Sequence, residues 1–145
     1  MRPFVKPYQL LEDISETDFN FKPDPEKWSK KEVLGHLIDS ATNNHHRLIR
    51  GQFENVPVIS YDQNQWNRLG YYQQIEVNQL IRFWASYNFQ LLELIKLIPS
   101  NCLKRECNTG GSNNVTIEFL FNDYVSHLEH HLKQILGSGV EGNGV

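Results

Sequence analysis

A repeating seam of apolar residues between Val77 and Ile98 is the strongest constraint on the fold of this 145-residue chain. That spacing places all of its members on one stripe of an α-helix, which must be buried against other helices. The third helix of an all-α protein is therefore predicted from about residue 75 to residue 98. The seam alternates steps of three and four residues through Val77, Leu80, Trp84, Tyr87, Leu91, Leu94 and Ile98.

Three further segments have helical spacing of apolar residues. The clearest covers residues 29–50 and begins with Ser29 and Glu32, the pattern of a capping box. The last covers residues 116–136, with Thr116 as a candidate N-cap. The first, residues 4–14, is short, and Pro7 weakens it. Together the four segments predict an antiparallel four-helix bundle.

The connections divide into one long aromatic segment and one glycine-rich segment. Residues 51–74 are too many for a tight turn, and this segment contains Tyr61, Trp66, Tyr71 and Tyr72. It either takes part in function or, as the simpler interpretation, packs across the bundle. Residues 100–115 are predicted to form a loop without strands. Residues 1–136 are predicted to form one domain, and the glycine-rich residues 137–145 a disordered tail.

Charge and cysteine content exclude several classes of protein. The chain has 14 Lys and Arg against 17 Asp and Glu, a formal net charge of −3, so it lacks the broad basic surface that binds nucleic acid. No apolar run approaches the length of a membrane span. Two cysteines, Cys102 and Cys107, cannot form a disulfide framework and are read as ordinary reduced thiols. We therefore expect a cytoplasmic protein that binds neither nucleic acid nor membrane.

Three of the six histidines lie in the segment His127-Leu-Glu-His-His131. His127 and His131 are four residues apart, so they lie on one helical face, at the spacing with which a helix presents two imidazoles to a metal ion. Two partly exposed surface histidines would give the same spacing, and for the pair alone this is the commoner explanation. His130 points away from the pair and is predicted to be exposed or at an interface.

A third ligand would favour a metal site, and the second helix offers His36, His45 and His46. His36 shares a polar face with Ser40, Asn43 and Arg47. His45 lies within the apolar stripe, where a hydrogen-bonded histidine at the edge of the core is the ordinary outcome. Periodicity does not decide whether His36 is an ordinary solvent histidine or part of the wall of a cleft, and His36 is the better third ligand only if the second and fourth helices are neighbours.

Three stretches together resemble one known family. They are Lys27-Trp-Ser-Lys-Lys-Glu-Val-Leu-Gly-His-Leu-Ile-Asp-Ser-Ala41 with Asn44 and Arg47 after it, the middle segment Tyr61-Asp-Gln-x-x-Trp66, and Asp123-Tyr-Val-Ser-His-Leu-Glu-His-His-Leu-Lys-Gln-Ile135. They resemble the DinB/YfiT-like superfamily of bacterial metal-binding four-helix proteins, although the first helix here is shorter than the family's. The resemblance implies that His36, His127 and His131 bind a divalent metal ion, Zn²⁺ or Ni²⁺, and that the protein is a homodimer.

Three imidazoles around such an ion leave one coordination position open, which is the catalytic pattern. The resemblance implies an enzyme that activates water or a thiol, either a hydrolase or an S-transferase that uses a low-molecular-weight bacterial thiol, acting on a small molecule. Asp39 and Asp123 are candidates to orient the histidine rings. Arg47, Asn43 and Arg68 are candidates to contact a thiol cosubstrate. No catalytic residue is assigned beyond the ligands.

Two alternatives remain open. The first is a metal-binding homodimer without turnover that serves in a stress response, because no sharply recognisable general base accompanies the ligands. The second is a purely structural helical dimer with surface histidines. The first predicts retained metal without activity, and the second predicts no stoichiometric metal at all.

Overall fold

The computed structural model describes residues 5–137, which contain six α-helices and one short two-stranded sheet. Helices α1, α3, α5 and α6 form the bundle, so the predicted four-helix fold is confirmed. Of the glycine-rich tail predicted at residues 137–145, residues 138–145 lie outside the described part of the chain. In chain order the elements are α1 (Val5–Glu12), α2 (Glu16–Asn20), α3 (Lys30–Arg50), α4 (Gln63–Gly70), α5 (Val77–Leu97), β1 (Glu106–Cys107), β2 (Val115–Thr116) and α6 (Ile117–Leu136).

The predicted caps fix the N-termini of both helices that carry the candidate ligands and the C-terminus of α6. The Ser29 hydroxyl accepts from the backbone N–H of Glu32, and the Glu32 carboxylate accepts from the N–H of Ser29, which completes the capping box of α3. Thr116 caps α6 by accepting from the N–H of Phe119. Gly137 ends α6 with a positive φ of 70°.

The bundle core consists of three layers between α3, α5 and α6. Trp84 is fully buried in the largest layer, among leucine, isoleucine and valine side chains of all three helices. Ala41, Leu91 and Tyr124 form the middle layer, and Leu48, Ile98 and Ile117 the third. Five of the seven predicted seam residues are buried, while Tyr87 and Leu94 are half-buried.

The direction of one helix pair departs from a simple antiparallel bundle. Helix α6 runs antiparallel to α3, since its C-terminal half meets the N-terminal half of α3. Helix α5 instead runs parallel to α3: the Ser29 hydroxyl donates to Gln73 Oε1 just before α5, and His45 bonds Tyr87 further along both helices. The long connection makes this possible because it carries the chain back to the end of the bundle where α3 begins.

The long connection is anchored by Tyr72, in a 3-10 turn at Tyr72–Gln74. A Cβ atom on Gly35 would lie 2.1 Å from Tyr72 Cδ2, and one on Gly70 would lie 2.6 Å from Tyr72 Cε2. Both glycines are therefore needed for the ring to pack against α3. The Tyr72 hydroxyl donates a hydrogen bond to Asp39 Oδ1.

Three local elements differ from the sequence predictions. Ser15 caps an additional short helix, α2, by accepting from the N–H of Asp18. Helix α4 lies within the aromatic connection, and Asp62 caps it. The prediction of a loop without strands at residues 100–115 was wrong, because β1 and β2 pair there in an antiparallel register. Each strand has only two residues, too few for periodicity to reveal.

Among the helices of residues 5–137, none combines the length and apolar character that a membrane crossing requires.

Candidate metal centre

Three histidines from two helices converge at one end of the bundle. His36 projects from the second turn of α3, and His127 and His131 project from successive turns of α6. Because the two helices run antiparallel, residues far apart in the chain meet. The three predicted side chains are therefore brought together, whereas His45 and His46 are not part of the cluster.

The imidazoles are close enough to share one ion. His36 Nε2 lies 3.2 Å from His127 Nε2, and the candidate ligand atoms of all three side chains lie within 4.8 Å of one another. The ring centroids are 5.0 Å apart for His36 and His127, 4.8 Å for His36 and His131, and 4.5 Å for His127 and His131. The ring planes are inclined to one another by 72° to 76°, and the Nε2 atoms of His36 and His127 point toward each other.

Burial and mutual repulsion keep the cluster neutral. Desolvation, followed by the charges of His127 and His131, lowers the pKa of His36 to about 4. Burial also lowers the pKa of His127 and of His131, with a further contribution from neighbouring histidines. A metal ion binds only the neutral imidazole, so these shifts leave the ligand form available at neutral pH.

Two of the rings have well-defined surroundings. His131 Nδ1 lies 2.8 Å from Gln134 Oε1, and with that oxygen accepting, the ring proton sits on Nδ1 and the Nε2 lone pair remains free. His36 is 1% exposed and packs against the Trp28 ring at 5.0 Å. His36 Nδ1 is buried without a hydrogen-bond partner among residues 5–137.

This donor set fits a late divalent metal ion such as Zn²⁺ or Ni²⁺. Two nitrogens bound to one tetrahedral zinc at the usual bond length lie about 3.3 Å apart. The observed 3.2 Å between His36 and His127 agrees with that spacing. Imidazole nitrogen is a good ligand for zinc and nickel, while calcium and magnesium prefer oxygen.

The remaining histidines of α3 and α6 have ordinary environments. His45 Nδ1 forms a 2.9 Å hydrogen bond with the Tyr87 hydroxyl, as expected of a histidine at the edge of the core. His46 is exposed. His130 is also exposed, as predicted, and its ring touches only the outer side of the cluster through His131.

Neither aspartate predicted to orient a ligand forms a hydrogen bond to a histidine in the described part of the chain. Asp39 is 3% exposed, and its Oδ1 accepts from Tyr72 while Oδ2 is buried without a partner among the described residues. Burial raises the pKa of Asp39 to about 6, against the lowering effect of the Tyr72 hydrogen bond. Asp123 is exposed and lines a cavity beside His127.

This cavity, of about 240 Å³, lies between α3 and α6 next to the cluster, and His127 lines it whereas His36 and His131 do not. Arg47 lines it with 8% exposure, and its guanidinium lies 5.8 Å from the centroid of the Tyr61 ring. Asn43 does not line it, because its side chain donates to the Asp39 carbonyl and faces a different groove. Arg68 is exposed on α4, where it donates to Gln65. The polar lining consists of Ser40, Asn44, Arg47, Tyr61, Thr109, Asp123, Tyr124 and His127.

Sequence reasoning missed Tyr61 and Tyr72 as parts of this region. The aromatic side chains of the long connection have no distinguishing pattern in the sequence, whereas in the structure they have different environments. Tyr61 faces the cavity, Tyr72 reaches Asp39, and Tyr71 is exposed. Gly35 was the available signal for Tyr72, since a glycine inside a strongly helical pattern marks a close approach by another group.

The profile of the DinB superfamily matches residues 8–135 of the chain. The protein belongs to the DinB superfamily. Two curated relatives of this DinB-superfamily protein carry the name "Putative metal-dependent hydrolase". One, from Halalkalibacterium halodurans, is 24% identical over 109 residues, and the other, from Oceanobacillus iheyensis, is 26% identical over 109 residues. Each match covers 74% of this chain but 63% of the relative, so the chain spans less than two thirds of their length.

Two solved structures share the fold. YfiT from Bacillus subtilis, described as "a probable metal-dependent hydrolase with an unusual four-helix bundle topology", superposes with a TM-score of 0.81 at 22% identity and covers 90% of this chain and 76% of its own. The DinB-like protein YjoA from the same species superposes with a TM-score of 0.54 at 15% identity and covers 96% and 87%. At these identities the similarity establishes the bundle and not the reaction.

Proposed function

We propose that this DinB-superfamily protein is a metal-dependent hydrolase of a small molecule, with one divalent ion held by His36, His127 and His131. The observation that carries the proposal is the convergence of three neutral imidazoles beside a cavity large enough for a small ligand. The names of the two curated relatives support it at the level of the family.

His36, His127 and His131 would hold a Zn²⁺ or Ni²⁺ ion, which would supply Lewis acidity to a water molecule. The chain supplies the remaining groups. Asp123 lies one turn before His127 on α6 and lines the same cavity, where its carboxylate accepts a proton from the attacking water. Burial raises the pKa of Tyr61, so its hydroxyl stays protonated and donates a hydrogen bond to a developing oxyanion.

The cavity also supports a second candidate, thiol-dependent S-transfer. It extends beyond the histidines toward Arg47, which leaves room for a cosubstrate in addition to the reacting group. In that reaction Asp123 would accept the thiol proton, and the sulfur would displace a leaving group such as chloride from the electrophile, with the ion supplying Lewis acidity. Both reactions use the same three histidines.

The direct test is hydrolysis of a panel of p-nitrophenyl esters and aryl amides by the protein as purified, after chelation, and after reloading with Zn²⁺ or Ni²⁺. We expect activity that disappears on chelation, returns on reloading and is lost in His127→Ala. Asp123→Asn should keep its metal and lose about 10² to 10⁴ in rate. Glu129→Gln, on another face of α6, is the matched control and should retain full rate.

The outcomes separate the alternatives. Turnover only when a thiol and an electrophile such as 1-chloro-2,4-dinitrobenzene are both present would replace hydrolysis by S-transfer. Stoichiometric metal without turnover in either assay would contradict both enzymatic proposals and favour the non-catalytic metal-binding protein.

A further inference from the structure

Arg47 is a buried cation that has no ion-pair partner among residues 5–137, although its guanidinium lies 5.8 Å from the centroid of the Tyr61 ring. Its Nε donates to the Ile59 carbonyl at 3.0 Å, which fixes the guanidinium in place. Among residues 5–137, no carboxylate forms an ion pair with it, and its two terminal nitrogens have no hydrogen-bond partner. These two nitrogens are not fully buried, so a ligand in the cavity can reach them.

A buried, unpaired guanidinium is costly unless something compensates its charge. Asp123 faces the same cavity and attracts Arg47, yet the two do not form an ion pair. Among the described residues that line the cavity, Arg47 and Asp123 are the two charged side chains, and the cavity lies between them. A ligand group between them would complete the pairing that the protein leaves open.

The free edge of the guanidinium defines the chemistry of that group. With Nε already used, the two terminal nitrogens present parallel N–H donors, which match the two oxygens of a carboxylate. Arg47 lies eleven residues after His36 on the same helix, an axial separation of about 16 Å between Cα atoms at 1.5 Å per residue. The cavity spans part of this distance, because Arg47 and His127 both line it.

From this arrangement we infer that the substrate or cosubstrate is an elongated small molecule with a carboxylate that binds Arg47, while its reacting end lies at the three histidines. The inference rests on the proposed function for the position of the reacting end. The carboxylate site itself depends only on Arg47 and the cavity, so the two can be tested separately.

The first experiment titrates hexanoate and, as its uncharged counterpart, 1-hexanol into the protein as purified and measures binding by calorimetry. Wild type should bind hexanoate about tenfold to a hundredfold more tightly than the alcohol. Arg47→Gln should abolish this difference, and Arg47→Lys, which keeps the charge but lacks the fork, should retain part of it. Arg68→Gln, an exposed arginine on α4, is the matched control and should behave as wild type.

The second experiment uses cobalt-loaded protein, with 6-mercaptohexanoate and 6-mercapto-1-hexanol as probes and the visible spectrum of Co²⁺ as the readout. The acid should perturb the spectrum at about tenfold lower concentration than the alcohol, and Arg47→Gln should make the two equal. An equal response to both thiols in wild type, or a preference that survives Arg47→Gln, would overturn the inference.

The failure patterns are distinguishable. A protein that takes up no cobalt contradicts the proposed function, and the hexanoate titration then decides the role of Arg47 by itself. A protein that binds cobalt and shows no carboxylate preference in either experiment contradicts the inference and leaves the metal site intact. Should Arg47→Gln not fold, the comparison of acid and alcohol in wild type still decides, since equal binding of the two is incompatible with a carboxylate site.

Discussion

His36 Nε2 lies 3.2 Å from His127 Nε2, although 91 residues separate them along the chain. The contact depends on the antiparallel packing of α3 and α6, two helices with defined N-caps and a shared core. Loops contribute none of the three imidazoles. The candidate site is therefore as rigid as the bundle, which favours a fixed coordination geometry.

Gln134 should increase metal affinity although it is not itself a ligand. It accepts from His131 Nδ1 and thereby directs the lone pair of Nε2 toward the cluster. Gln134→Leu should weaken Zn²⁺ binding about 10- to 100-fold, measured by competition with a chromogenic chelator. Gln134→Glu keeps an accepting oxygen and is the control. Unchanged affinity in the leucine variant would contradict this role.

Gly35→Ala should destabilise the fold, although helix propensity alone predicts a gain of about 1 kcal/mol. The new Cβ would lie 2.1 Å from Tyr72 Cδ2, and overpacking of this kind costs about 1–3 kcal/mol. Urea unfolding measures the sign directly. Gly111→Ala is the control, since nothing lies within 4 Å of its Cβ position. In a Tyr72→Ala background, Gly35→Ala should become neutral or stabilising, and a persistent loss there would contradict the explanation.

Asp39 should make the metal-free protein less stable as pH rises. Burial raises its folded-state pKa to about 6 from an ordinary value of 3.8, so between these values the folded state binds more protons than the unfolded state. The stability that the Asp39 carboxyl group contributes is therefore lost as pH rises through this range, by up to roughly 3 kcal/mol for a shift of about two units. The lowered pKa values of His36, His127 and His131 act in the opposite direction, equally in wild type and in Asp39→Asn. Asp39→Asn, which still accepts from Tyr72, should remove the loss.

The measurement for Asp39 is urea unfolding in chelator at about pH 4.5 and about pH 7.5, on either side of the folded-state pKa. Asp13→Asn, on an exposed side chain, is the control and should follow wild type. Parallel pH profiles for Asp39→Asn and wild type would show that Asp39 does not carry the effect.

Metal binding should resist moderate acidification. Three histidines with ordinary pKa values would lose about fifty-fold in affinity between pH 7.5 and pH 6 through proton competition. The pKa of His36 is lowered to about 4, and burial also lowers those of His127 and His131, so protons compete only at lower pH. Two ordinary histidines without His36 would lose about fourteen-fold, so we expect a smaller loss than this over the interval, measured by chelator competition at both pH values. A loss near fifty-fold would show that the histidines titrate normally.

The helices that carry the site were predictable because their signals are local. Ser29 with Glu32 and Thr116 mark where α3 and α6 begin, and the spacing of His127 and His131 follows from the helical repeat. His36 is different, because periodicity alone does not show whether it is a ligand or an ordinary solvent histidine. The family resemblance selects it as a ligand. The structure brings His36 to the pair, and its role as a ligand stays a prediction.

The parts that were missed depend on contacts between distant segments. The Tyr72 hydroxyl reaches Asp39 only because two glycines, 35 residues apart, leave space for its ring. The parallel direction of α5 follows from the path of a long connection whose helix α4 has only eight residues. Arg47 and Tyr61 share a cavity through folding of that same connection. The periodicity of apolar residues along the chain gives no information about such contacts between distant segments.

The most direct test of the central claim is the metal content of tag-free protein, measured by plasma mass spectrometry for wild type, His36→Ala and His130→Ala. Three histidine ligands from one chain predict about one Zn²⁺ or Ni²⁺ per chain in wild type and in His130→Ala, and a near-complete loss in His36→Ala. Wild type that is free of metal and takes up neither added ion would contradict the account, as would His36→Ala that retains the full amount.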